Sequence, residues 1–158
     1  MKASFILLSV ADLALLLVTA YAGFCVRGTE FFLQHFLLGM LAGLFTCFVH
    51  VVFFMYFVVQ EKIMKQALAA VGEGESHLRN GASATQAIKS RAFRAAMLGI
   101  CAILLTVALG AAIGILVGPQ VHMVSAFVAV GVNLVVFFYQ YGLLGQYAEI
   151  FSTAFPEG

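Results

Sequence analysis

Six polar side chains stand inside stretches that are otherwise almost wholly apolar: Asp12, His35, His50, Thr106, His122 and Asn133. An acid and three imidazoles in such surroundings can move protons, hold a ligand or bind an iron centre, because an intramembrane ionisable group is costly unless it is partnered. Asp12, His50, Thr106 and Asn133 each lie about ten to twelve residues from one end of their apolar runs, which predicts a single polar layer. An ionised carboxylate in that layer would need a donor, and His50 is the strongest one at that depth. The Asp12/His50 layer therefore reads either as a hydrogen-bonded clasp that fixes helix register or as a proton- or ligand-handling pair. His35 and His122 stand near the opposite ends of their runs, at matched depth. Two such imidazoles can supply both axial positions of a b-type haem, with Gly39, Gly43, Ala126 or Gly114 as small neighbours.

Long apolar elements must position these groups. Between Glu30 and Glu61 the chain carries no Lys, Arg, Asp or Glu, and at 1.5 Å per residue that run spans roughly 45 Å against a hydrocarbon core of about 30 Å. Comparable runs cover 3–24, 95–117 and 121–145 besides 31–60. A chain that is 63% hydrophobic and 9% charged, with mean hydropathy +1.07, is a polytopic membrane protein rather than a soluble domain. The expected architecture is all-α: four transmembrane helices in an antiparallel up-down bundle, one domain over residues 1–158, with a cytoplasmic helical hairpin formed by 61–94. Asn80-Gly81 marks a turn in that hairpin, with Ser83 or Thr85 as the cap of its second arm.

Each run carries one small or polar stripe at helical spacing. In the second, His35, Gly39, Gly43, Thr46 and His50 share a face; in the third, Gly110, Gly114 and Gly118 recur every four residues. Small residues so spaced let backbones approach closely, so Gly39 and Gly43 are expected to pack on Gly110, Gly114 and Gly118. Pro119 is expected to end the third helix. Asp12 interrupts the apolar core that a cleaved signal would need, which favours an uncleaved first helix.

Lys62, Lys65, Arg79, Lys89, Arg91 and Arg94 lie between the second and third runs and Lys2 precedes the first, whereas only Arg27 falls on the other side. By the positive-inside bias both termini and the long loop are cytoplasmic, as in a bacterial-type inner membrane protein. The same asymmetry accounts for the basic residues without nucleic acid as a partner. Cys25, Cys47 and Cys101 have no ligand spacing, and no bare metal site is expected. Phosphate-binding loops, dinucleotide fingerprints, zinc-protease helices and nucleophile elbows are absent from the sequence, as are inverted repeats of the transporter kind. These features point away from an enzyme and toward an accessory or structural subunit of a larger membrane complex, respiratory or otherwise energy-transducing. Its expected partners are the lipid bilayer and other membrane subunits or further copies of itself. The alternatives are a haem b or quinol-interacting electron-transfer anchor using His35 and His122, and a proton- or ligand-handling protein using Asp12 and His50.

Overall fold

A computed structural model describes residues 2–27, 30–71 and 76–155. Its regular structure is four helices, α1 (Lys2–Cys25), α2 (Phe32–Val71), α3 (Ser76–Ala111) and α4 (Pro119–Ala154), with no strand among the described residues. All four are long and apolar enough to cross a membrane. Runs of Leu, Ala, Val and Phe without interior proline favour this outcome, because a helix satisfies every backbone N–H and C=O within itself.

The helices pack in a ring: α1 touches α2 and α4, and α3 touches α2 and α4. Among the described residues the diagonal pairs α1/α3 and α2/α4 bring no backbones together. Burial follows a pattern opposite to that of a water-soluble protein. Leu7, Leu44 and Phe138 are about 70% exposed, while Asp12, Thr46, His50, Asn133 and Gln140 are wholly sealed inside. Water would not tolerate so much apolar surface on a monomer, whereas hydrocarbon would.

Three helices continue past the apolar runs. Met64, Leu78 and Ala154 form a separate core cluster where the extensions of α2, α3 and α4 meet. Glu61 is buried there and paired with Lys65 at 2.8 Å and with Lys89.

Several expected boundaries move. Asn80-Gly81 is helical rather than a turn, because α3 begins at Ser76 and Gly81 packs closely against Ala154 and Met64. Tertiary contact overrides the local turn preference at that point. Thr85 accordingly bonds the Gly81 carbonyl one turn back instead of capping a new helix. The stretch Gly72-Glu73-Gly74-Glu75-Ser76, whose composition predicts the break between the two arms of the hairpin, lies outside the described residues except for Ser76, which opens α3. At the other end α3 stops at Ala111, six residues before the expected 117, and the chain turns through Gly114 with φ +80°. That conformation suits glycine because it lacks a Cβ. Pro119 does not end α3 but opens α4 as its first residue, where its missing N–H costs no helical bond.

Candidate functional site

Two levels of polar residues lie inside the ring. The first is near the ends where α1 leads to α2 and α3 leads to α4. His35 is the fourth residue of α2 and His122 the fourth of α4, so the two stand on diagonal helices. Their ring centroids are 6.0 Å apart with planes at 73°. His35 Nδ1 lies 3.1 Å from the Thr19 carbonyl, and His122 Nδ1 lies 3.1 Å from the Thr106 carbonyl. A carbonyl can only accept, so both Nδ1 atoms carry the hydrogen and donate. Each Nε2 is therefore left with its lone pair, the arrangement that orients an imidazole as a ligand.

Glycine makes this possible on the facing helices. A Cβ at Gly23 would lie 3.0 Å from His35 Cε1, and one at Gly110 would lie 2.8 Å from His122 Cε1. The small residues under the imidazoles are thus Gly23 and Gly110. Gly39 faces the Thr19 methyl, Gly43 faces Ile103 and Val107, and Gly114 sits in the connection with nothing nearby. Gly118 meets only the Gln120 side chain. The expected backbone contact of Gly39 and Gly43 on Gly110, Gly114 and Gly118 is therefore replaced by two separate glycine–histidine contacts.

The two halves of this level repeat one another. Thr19, Gly23 and His35 recur as Thr106, Gly110 and His122, an offset of 87 residues. Each Thr hydroxyl donates to the carbonyl one turn back, Leu15 at 2.8 Å or Ala102 at 3.0 Å. Each also reaches across to the helix bearing the histidine, to Leu38 at 3.4 Å or Ser125 at 3.1 Å. Next to this level the core cluster of Leu16, Ala42, Ile103 and Ala129 obeys the same offset, Leu16 matching Ile103 and Ala42 matching Ala129. The two helical hairpins thus place the same residue types at the same positions, one offset apart. A scan for Thr-x3-Gly-x11-His would have found the recurrence, because each of those positions has a geometric task.

Farther along, about 16 Å from the histidine pair by helix rise, the repeat persists in position but not in chemistry. Thr46 Oγ lies 2.9 Å from both Asp12 Oδ1 and the Ala42 carbonyl, one hydrogen between two acceptors. In the second half the equivalent positions are Asn133 and Gly99, and Asn133 Nδ2 donates to the Gly99 carbonyl at 3.5 Å and to Ala129 at 2.9 Å. His50 uses the room that Gly99 leaves. Its Nε2 donates to Asn133 Oδ1 at 2.8 Å, its Nδ1 accepts from Gln140 Nε2 at 3.2 Å, and its ring stacks on Phe137 at 5.0 Å. His50 is consequently committed on both nitrogens.

The single layer expected from residue counting is divided. Asp12 goes to Thr46 and His50 goes to Asn133 and Gln140, with no hydrogen bond between the two groups among the described residues. Thr106 belongs with His122, not with Asn133. Thr46, Gln140, Thr19, Gly23 and Gly99 are the participants that sequence reasoning had not assigned to a site. Asp12 Oδ2, Ser9 Oγ and Gln140 Oε1 are buried without a hydrogen-bond partner among the described residues.

Fold and site together define a four-helix all-α protein whose helices are long and apolar enough to span a membrane, with two neighbouring imidazoles, His35 and His122, on its diagonal helices. Family models, curated proteins and solved structures all give no match to this chain.

Proposed function

We propose that the chain is an integral membrane subunit that holds one b-type haem between His35 and His122 and passes single electrons within a larger membrane assembly. The observation that carries this reading is the pair of neighbouring imidazoles, ring centroids 6.0 Å apart, with both Nδ1 atoms spent on backbone carbonyls. Imidazoles with centroids 6.0 Å apart, each with Nδ1 spent on a carbonyl, would be the residues to hold one haem iron through His35 Nε2 and His122 Nε2.

The donor set favours haem over a bare ion. Among the described residues no group of three His, Cys, Asp or Glu side chains comes together, and two imidazoles alone leave a transition ion short of its usual four or more ligands. A porphyrin brings four nitrogens of its own and needs only the axial pair. When bound, the group supplies reversible one-electron transfer. The chain's own part is to orient both rings through Thr19 and Thr106 and to keep the faces of Gly23 and Gly110 clear.

In this reading the four helices cross the bilayer as an up-down bundle, with both termini and the basic extension in the cytoplasm and the histidine level at the outer side. One haem near one surface does not bridge a core of about 30 Å. Electrons must therefore be exchanged with a neighbouring subunit or a quinol, which favours a place in a larger complex over a solitary carrier.

The test is optical. Protein purified from haem-replete cells should show b-type bands in a reduced-minus-oxidised spectrum, and His35→Ala and His122→Ala should each abolish them while the chain still inserts. Wild-type protein without such bands, or bands that survive the double substitution, would refute the assignment. Stoichiometric copper or zinc in place of haem would refute it equally.

A further inference from the structure

A second feature lies at the opposite level of the molecule, where α3 and α4 leave a groove lined by Arg91, Arg94, Ala95, Leu98, Val135 and Tyr139. Its charge is confined to one end. Arg94 is the last charged residue before the apolar run of α3, and Arg91 lies one turn earlier. Leu98 and Val135 line the apolar part and are 58% and 68% exposed. The groove is thus cationic at its mouth and apolar along its length, at the boundary between the spanning part and the extension.

Among the described residues no carboxylate pairs with either guanidinium group. Arg91 Nη1 donates to Gln146 Oε1 at 3.2 Å, a neutral amide that fixes the side chain and leaves its charge unanswered. Arg94 has no side-chain hydrogen bond or ion pair among the described residues. A contrasting groove on α2, lined by Val58, Glu61, Lys62 and Lys65, holds its own counter-charge, since Glu61 pairs with Lys65 and with Lys89. A carboxylate there repels a phosphate. Of these two grooves, the α3/α4 groove combines guanidinium groups unpaired among the described residues with an apolar floor.

We infer that the α3/α4 groove binds an anionic phospholipid, its phosphate held by Arg91 and Arg94 and one acyl chain lying along Leu98 and Val135. Guanidinium forks match phosphate oxygens, and the Tyr139 ring at the same boundary suits a head-group level. The site rests on the membrane reading and is independent of the haem.

The experiment titrates detergent-solubilised protein with phosphatidylglycerol, with phosphatidylcholine of the same acyl chains and with inorganic phosphate, reading bound lipid by native mass spectrometry. At about 1 kcal/mol per basic side chain near the head group, roughly fivefold each, phosphatidylglycerol should bind about 20–30-fold more tightly than phosphatidylcholine. Arg94→Gln should cost about fivefold for phosphatidylglycerol alone, Arg94→Lys should keep most of the preference, and Lys62→Gln should change nothing. Among the described residues Arg94 has no partner to lose, so Arg94→Gln is expected to leave insertion and the thermal transition unchanged. Equal affinity for the two lipids, no effect of Arg94→Gln, or full competition by inorganic phosphate would each overturn the site. A chain that is monodisperse in water without detergent and takes up neither lipid would instead overturn the membrane reading itself.

Discussion

Three buried or half-buried histidines occupy the interior, and what separates them is how many ring nitrogens the protein uses. His50 donates to Asn133 and accepts from Gln140, so neither nitrogen is left for a ligand. His35 and His122 each spend one nitrogen on a carbonyl and keep the other. Position in an apolar run revealed all three, but commitment could be read only from the partners. Gly99 is the residue on which the committed histidine depends. An added Cβ would lie 2.7 Å from Asn133 Oδ1 and closer still to His50 Nε2, and the immediate obstacles are two side chains locked to one another. Gly99→Ala is therefore expected to lower stability by about 1–3 kcal/mol, as overpacking does, and to separate His50 from Asn133. Gly131 and Gly142 are the controls. Nothing lies within 4 Å of a Cβ at either position, so Gly131→Ala and Gly142→Ala should be neutral or stabilise by up to about 1 kcal/mol through helix propensity. Reversible unfolding in mixed micelles compares the three. Equal effects at all three positions would show that His50 does not rest on Gly99.

At the level of elements, α1 and α3 each contribute a threonine and a glycine, and α2 and α4 each contribute a histidine four residues into the helix. The sequence made the four helices and their polar stripes legible, because period and hydropathy are properties of single segments. Helix ends were less so. The α2 and α3 extensions hold together through Met64, Leu78, Gly81 and Ala154, contacts that no local window contains. The recurrence at offset 87 is hard to read from the sequence for a different reason. Lipid-facing and core positions accept any apolar residue of similar bulk, so Leu16 can answer to Ile103 without resemblance to the eye. Only positions with a geometric duty keep their identity. This symmetry makes a paired prediction. Gly23→Ala and Gly110→Ala should both displace an imidazole and weaken haem retention, Gly110→Ala more strongly, since its Cβ would lie 2.8 Å from the ring rather than 3.0 Å. Haem content after gel filtration, relative to wild type, measures this. An effect confined to one of the two would mean that the halves do not share the site.

For the whole molecule, the question is how many sites two hairpins with matching positions can hold. A bundle with imidazoles at both levels of α2 and α4 would have four axial ligands and two iron sites. Here α2 carries His35 and His50, while the matching positions of α4 are His122 and Phe137. The second level is closed in two independent ways. Phe137 offers no ligand and stacks on His50 at 5.0 Å, and both nitrogens of His50 are already hydrogen bonded. Around that stack Phe5, Val49, Phe53 and Ala92 fill a continuous core. At the level distant from the histidine pair Asp12 on Thr46 ties α1 to α2 and Asn133 ties α4 to α3, contacts that can hold the helices in register. Such interhelical bonds contribute on the order of 0.6–2 kcal/mol each inside a membrane. The protein should accordingly bind one haem per chain. Pyridine haemochrome analysis against amino-acid quantitation is expected to approach one, and His50→Gln should leave that ratio and the spectrum unchanged while lowering thermal stability. A ratio near two, or loss of haem on His50→Gln, would place an iron ligand at the level that the structure reserves for packing.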